Sequence, residues 1–242
     1  MNRKLLLLLA LSLLLPSAPA SSGPIPAPLF WVERDRSHPG EIVEIRLRNH
    51  WVERGIRMED WHIVDARTGE VKSTYFWSET DREVPLGEER VWLWEQNTSS
   101  CYGECQNVHW GDPAPPGRYR VEVSTNIGNL RATFDIGRYF TLGFEHRPEL
   151  EFRVFSNEAG TIDQMRAEAE AGDKTIIVSG IVRKKKGYNR PWSYTMGPSS
   201  IVLGEVFVEV CDGDPNYVES HRREWLGERW CPWSSYVKRE GR

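Results

Sequence analysis

"PPGRYRVEVSTNIGNLRATFDIG", residues 115–137, decides the fold class. It reads as a turn, a strand, a hairpin at Ile127-Gly128-Asn129 and a second strand ending at Gly137. The same punctuation recurs toward the amino terminus. "EIVEIRLRN" (41–49) sets Ile42, Val43, Ile45 and Leu47 against charges, the two-residue period of a half-buried strand. "WHIVDARTGEV" (61–71) reads as strand, turn at Thr68-Gly69, strand. "EERVWLWEQ" (88–96) opposes Val91 and Leu93 to Trp92 and Trp94, so both of its faces are expected to be covered. About seven short strands with Gly/Pro turns and no helix predict an immunoglobulin-like β-sandwich.

After Phe144 the pattern changes. "ELEFRVF" reads as a strand, and "TIDQMRAEAEAG" as a helix capped by Thr161 and ended by Gly172. "KTIIVSGIVRK", "WSYTMG" and "SSIVLGEVFVEV" read as strands. "DPNYVESHRREWLG" has Asp214 as N-cap and Pro215 in the first turn, so it reads as one helix up to Gly227. "CPWSSYVKRE" closes the sheet as a last strand. The expected fold is therefore mainly β plus α+β: the sandwich, then a small α+β domain with two helices on an antiparallel sheet.

Arg3 and Lys4, an apolar run from Leu5 to Leu15 and a small-residue end at Ala20 make residues 1–20 a secretory signal peptide. The run is too short to span a bilayer. Residues 21–29 then form an extended linker, 30–146 the sandwich and 147–242 the α+β domain, with the boundary near His146-Arg147-Pro148. Cleavage after Ala20 predicts a secreted or periplasmic protein. Of 31 basic residues, loss of Arg3 and Lys4 leaves 29 against 35 acidic ones. That balance argues against nucleic acid or an anionic membrane as partner.

The pieces "WHIVDARTGEV", "VPLGEERVWLWEQ" and "APPGRYRVEV" resemble the BsuPI family, bacterial proteins described as intracellular proteinase inhibitors with an immunoglobulin-like sandwich. The resemblance covers roughly 40–136 and implies binding of a protein, a proteinase among the candidates, through sandwich loops. "VSGIV", "YNRPWSY", "EVFVEVCDGDPNYVE" and "RWCPWSS" resemble the amino-terminal domain of a calmodulin-binding protein family that also occurs in bacterial secreted proteins. That second resemblance covers about 150–239.

In an oxidising compartment four cysteines are most simply two local disulfides, Cys101–Cys105 and Cys211–Cys231. For the first pair, a metal site completed by His109 is the alternative, although Cys-x3-Cys-x3-His supplies only three ligands. Asp212, Asp214 and Asn216 alternate as oxygen donors do in a calcium loop, but an EF-hand would need glycine at 217 and glutamate at 223, where this chain has Tyr and Arg. Helix capping explains the same residues. A hydrolytic corner from Asp212, Asp214 and His221 is the remaining reading. Lys184, Lys185 and Lys186 with Tyr188 and Trp192 could meet a polysaccharide, against the plainer reading of a solvated hairpin loop. Trp61, Trp192, Trp225, Trp230 and Trp233 are expected in the core, and Trp31, Trp51, Trp77 and Trp110 are candidates for an exposed surface. No nucleophile elbow, zinc-protease helix, phosphate loop or dinucleotide fingerprint is present, and no cofactor is expected. The sequence thus predicts an exported, non-enzymatic binding protein whose partner is an extracellular protein or, as the alternative, a carbohydrate or envelope polymer.

Overall fold

The computed structural model describes residues 29–75, 82–102, 107–184 and 188–241. The expected signal peptide, residues 21–28 of the linker, Cys105, Lys185 and Lys186 lie outside the described residues. The first half carries strands β1 (Leu29–Val32), β2 (Arg36–Ser37), β3 (Val43–Arg48), β4 (Ile56–Asp65), β5 (Val71–Tyr75), β6 (Glu83–Val84), β7 (Glu89–Trp94), β8 (Asn97–Tyr102), β9 (Asn107–Pro113), β10 (Gly117–Thr125) and β11 (Gly128–Ile136). One sheet has the order β1-β3-β7; the other runs β2-β11-β10-β4-β5, with β6 added on β4. The described strands outnumber the seven expected because β2 and β6 are two-residue pairings.

Alternation in β3 and β10 sends Val43, Ile45 and Leu47 from one sheet, and Tyr119, Val121 and Val123 from the other, into one core with Trp61, Trp94 and Phe134. Each such side chain contributes on the order of 2 kcal/mol by leaving water. The Tyr119 ring stacks on Phe134 at 5.8 Å, and its hydroxyl donates to the Pro115 carbonyl at 2.6 Å. This tie from a buried tyrosine to upstream backbone is the corner found in immunoglobulin-like sandwiches, and burial pushes the Tyr119 phenol well above its ordinary pKa. Two details differ from the sequence pattern. Ile42 precedes β3 and is exposed, and Val91 and Leu93 carry the outer face of β7 into solvent.

A single residue, Gly137, separates β11 from β12 (Arg138–Phe144), where the pairing changes. β12 pairs with β13 (Glu151–Ser156) and with the last strand, β18 (Ser235–Gly241), so it serves the second core rather than the sandwich that was expected to continue to 146. A Cβ at Gly137 would lie 2.0 Å from the Ser156 carbonyl oxygen, which is why glycine stands at this crossing. The remaining elements are α1 (Ala159–Ala171), β14 (Ile177–Lys184), β15 (Tyr194–Met196), β16 (Val202–Gly204), α2 (Pro215–Ser220), α3 (Arg222–Trp225) and β17 (Arg229–Trp230). Helix α1 starts two residues earlier than Thr161 implied, with Glu158 at the N-cap and no side-chain cap; it ends at Gly172 as expected. Ile162 and Met165 point from it into the core.

β14 organises the rest. β16 pairs with its first residues, β15 with its last, and β17 with Gly180 and Ile181 between them. The strand expected over 199–210 stops at Gly204 because Gly204 pairs with Ile177, the first residue of β14. Beyond that point no β14 backbone remains to accept a ladder, and the chain runs irregularly to a 3-10 turn at Glu209–Cys211. The single helix expected over 214–227 is two, broken at His221 (φ −108°, ψ 23°). There the Tyr217 carbonyl faces the His221 N–H at 3.1 Å, the Ser220 hydroxyl at 2.9 Å and His221 Nδ1 at 2.9 Å, and such side-chain competition for a helix carbonyl bends or ends the helix. Trp230 is fully buried, edge-on to Phe152 at 4.8 Å and to Tyr194 at 5.6 Å. The whole is mostly strand in several antiparallel sheets with few helices, a β-sandwich followed by a small α+β unit.

Candidate functional site

The stretch 211–235 is built as a cross-linked corner. Cys211 ends the 3-10 turn, Cys231 follows β17, and the two form a disulfide with their Cα atoms 5.2 Å apart. Both are buried, and with Ile177 and Phe207 they make a small apolar cluster of their own. The Cys231 N–H donates to the Cys211 carbonyl at 2.8 Å. Asp212 Oδ1 accepts from the Gly213 N–H at 2.7 Å and the Trp233 N–H at 2.8 Å. Asp214 caps α2 by accepting from the Tyr217 N–H at 2.8 Å, and its other oxygen lies 3.4 Å from Arg147 Nη1. His221 lies against the Tyr217 ring with centroids 4.3 Å apart.

Each carboxylate of the corner is thus engaged with backbone donors or an arginine, and His221 with the Tyr217 carbonyl. Asn216 is exposed beside them. Among the described residues, no group of three or more His, Cys, Asp or Glu is placed to hold a metal ion. What the corner does is fix the path of the chain across it.

The other nominated residues lie elsewhere. β8 and β9 form a hairpin in which Cys101 pairs with Val108, but the Cys101–Cys105 link and the His109 side chain fall outside what is described. Lys184 is exposed at the end of β14. Tyr188 and Trp192 do not join it on a surface. Trp192 is buried and donates to the Glu151 carbonyl at 2.9 Å; Tyr188 packs on Tyr139 and meets the Thr195 hydroxyl. Of the tryptophans expected inside, Trp61, Trp192 and Trp230 are buried, Trp225 is half-buried, and Trp233 is 39% exposed. Trp31 and Trp51 are half-buried; Trp77 and the Trp110 side chain are outside the described set.

One surface remains that neither capping nor core packing explains. From Glu205 to Val210 the chain passes over the disulfide without strand partners. Phe207 turns inward onto the cysteine cluster, and its ring comes within 3.3 Å of where a Cβ on Gly204 would sit, so glycine is what admits it. Val206, Val208 and Val210 are left 80%, 67% and 88% exposed. Phe207, Val208, Val210, Cys211, Tyr217 and Trp225 line a cleft of about 370 Å³ with Glu224, Glu228 and Arg229 at its edge. Arg229 is drawn off to the Ser179 hydroxyl at 3.0 Å, which leaves the two glutamates to set the sign of the rim. The groove is apolar with an acidic edge.

Residues 138–242 match the family model of the BP-74 N-terminal domain. The match begins at the first residue of β12, where the sheet pairing changes, and takes in the corner and the groove. It contains the four motifs that carry the resemblance to the calmodulin-binding protein family. Comparison of the chain with curated proteins gives no match. Within the matched region, the valine row was the residue set that the sequence concealed. Its period of two signals a strand with one apolar face, and only the end of β14 reveals that the face is uncovered.

Proposed function

We propose that the protein is an exported, non-enzymatic binding protein that takes a protein partner in the apolar groove beside Cys211–Cys231. The observation that carries this reading is the exposed row Val206, Val208 and Val210 over a cleft walled by Tyr217 and Trp225. Contiguous exposed apolar surface rimmed by polar groups marks interaction sites on soluble proteins. Glu224 and Glu228 at its edge favour a partner segment that is apolar with basic flanks. The disulfide is compatible with an oxidising extracellular compartment, and no described helix is long and apolar enough to cross a membrane.

Proteinase inhibition through sandwich loops is the narrower form of the binding reading and rests on the BsuPI resemblance alone. The polysaccharide alternative needed Tyr188 and Trp192 as a stacking platform beside Lys184, and both rings are occupied inside the protein. The test is selection of displayed peptides on the wild type and on Val208→Asp and Val210→Asp, whose exposed positions leave folding intact. Peptides rich in apolar and basic residues should be enriched on the wild type and bind either variant at least about tenfold more weakly. A proteinase panel inhibited equally by wild type and variants would move the site to the sandwich loops. A wild-type dimer that Val210→Asp converts to monomer would assign the groove to a second copy of the chain and end this reading.

A further inference from the structure

Where the two halves meet, Arg36 of β2 is held between aromatic rings. Its guanidinium carbon lies 4.6 Å from the Tyr188 ring centre and 5.1 Å from that of Phe155. Tyr139 packs against both rings, at 4.9 Å and 4.7 Å, and His38 stands edge-on to Tyr139 at 5.3 Å. Arg36 is only 9% exposed, and its Nε and Nη1 are shut off from solvent with no hydrogen-bond acceptor. Charged donors buried without acceptors are costly, and the ring faces offset part of that cost.

Beside this stack opens a cleft of about 550 Å³ lined by Arg34, Arg36, His38, Glu41, Arg138 and Tyr139. Three guanidiniums and an imidazole there face one carboxylate. That carboxylate is engaged, since Glu41 Oε2 accepts the His38 N–H at 3.0 Å. The carboxylates nearby are also taken: Glu240 lies 2.9 Å from Arg166 Nε and 3.5 Å from Arg138 Nε, and Asp135 accepts from Asn157 Nδ2 at 2.9 Å. Asp35 and Asp135 act on the cluster electrostatically, but neither lines the cleft. Arg34 is exposed and has no ion pair among the described residues. The walls come from both halves, Arg34 to Glu41 from the sandwich side and Arg138 and Tyr139 from β12.

We propose that this junction cleft binds a small oxyanion ligand, carboxylate or phosphate, that accepts from the arginines lining it. Guanidinium forks suit both groups, and the volume is that of a small-molecule site. The site is distinct from the valine groove and does not depend on it. The test is titration calorimetry of the purified chain with pyrophosphate and with citrate at constant ionic strength. Because Arg36→Gln risks the fold, the variants are Arg34→Gln and Arg138→Gln on the rim, with Arg223→Gln, exposed on α3, as control. Saturable binding of at least one probe is expected, weakened about tenfold by each rim variant and unchanged in the control. Preference for pyrophosphate assigns a phosphorylated ligand, and preference for citrate a polycarboxylate. Absence of saturable binding by either probe, or an equal loss in all three variants, would overturn the proposal.

Discussion

Replacing Cys211 and Cys231 together by alanine removes a cross-link between positions 20 residues apart. In the chain-entropy description, closing a loop of that length removes about 11 cal/mol/K from the unfolded chain, or about 3 kcal/mol at 25 °C. Both sulfur atoms are buried against Ile177 and Phe207, so their loss also removes apolar contact worth about 1 kcal/mol. The double variant should therefore unfold about 3–4 kcal/mol more easily than the wild type. The assay is urea unfolding of the full chain followed by tryptophan fluorescence, which reports the buried Trp230 beside the corner. The cross-link also seats Phe207, so the valine row above it should loosen, and faster hydrogen exchange over 205–211 should accompany the lost stability. A loss below about 1 kcal/mol would refute the reasoning, because the corner would then owe its shape to Asp212, Asp214 and Trp230 rather than to the disulfide.

Gly137→Ala should destabilise by about 2–4 kcal/mol in thermal melts, because the added Cβ meets a backbone oxygen that cannot swing away. Asp212→Asn should cost about 1 kcal/mol, the scale of weakened bonds to two backbone donors, and calcium should leave the melting temperature of wild type and variant unchanged; a rise of several degrees in the wild type alone would establish a cation site. Glu151 carries the pH dependence. Hydrogen bonds from Arg239 and Lys238 lower its pKa from 4.5 to about 2. A lowered folded-state value means the carboxylate stabilises above about pH 4.5, and this is lost as the pH falls toward about 2. Its side chain is 38% exposed, so solvent screening reduces the effect to about 1 kcal/mol, and Glu151→Gln should flatten acid unfolding curves in that window by this amount.

The fold class was legible because local rules and tertiary pairing agree along most of the chain. Val43, Ile45 and Leu47 alternate and are buried, and the hairpin turn after Thr125 joins two strands paired from end to end. Where a strand's partner decides the outcome, one sequence does not reveal it. The apolar alternation of 199–210 is that of a strand, but the ladder ends with β14 at Ile177. Arg138–Phe144 reads as strand in either half, and only pairing with β13 and β18 assigns it to the second. The helix over 214–227 has good start and stop signals, and its break at His221 depends on side chains converging on the Tyr217 carbonyl.

The site was legible as chemistry but not as place. Cys211 with Cys231, and Asp214 as a cap, follow from residue type and spacing. Tyr188 and Trp192 looked available beside a basic run, and packing against Arg36 and the Glu151 carbonyl removes them from the surface. Arg36 gave no signal as an isolated charge; its meaning comes from Phe155 and Tyr188, rings that the chain supplies more than 100 residues later.

The central claim is that partner binding resides in the groove over the disulfide. Hydrogen–deuterium exchange of the full chain with and without the tightest selected peptide tests it most directly. The account predicts protection confined to residues 205–211 and 217–229, abolished by Val208→Asp. Protection over the sandwich turns near 85–88 and 126–129, with 205–211 unaffected, would contradict it.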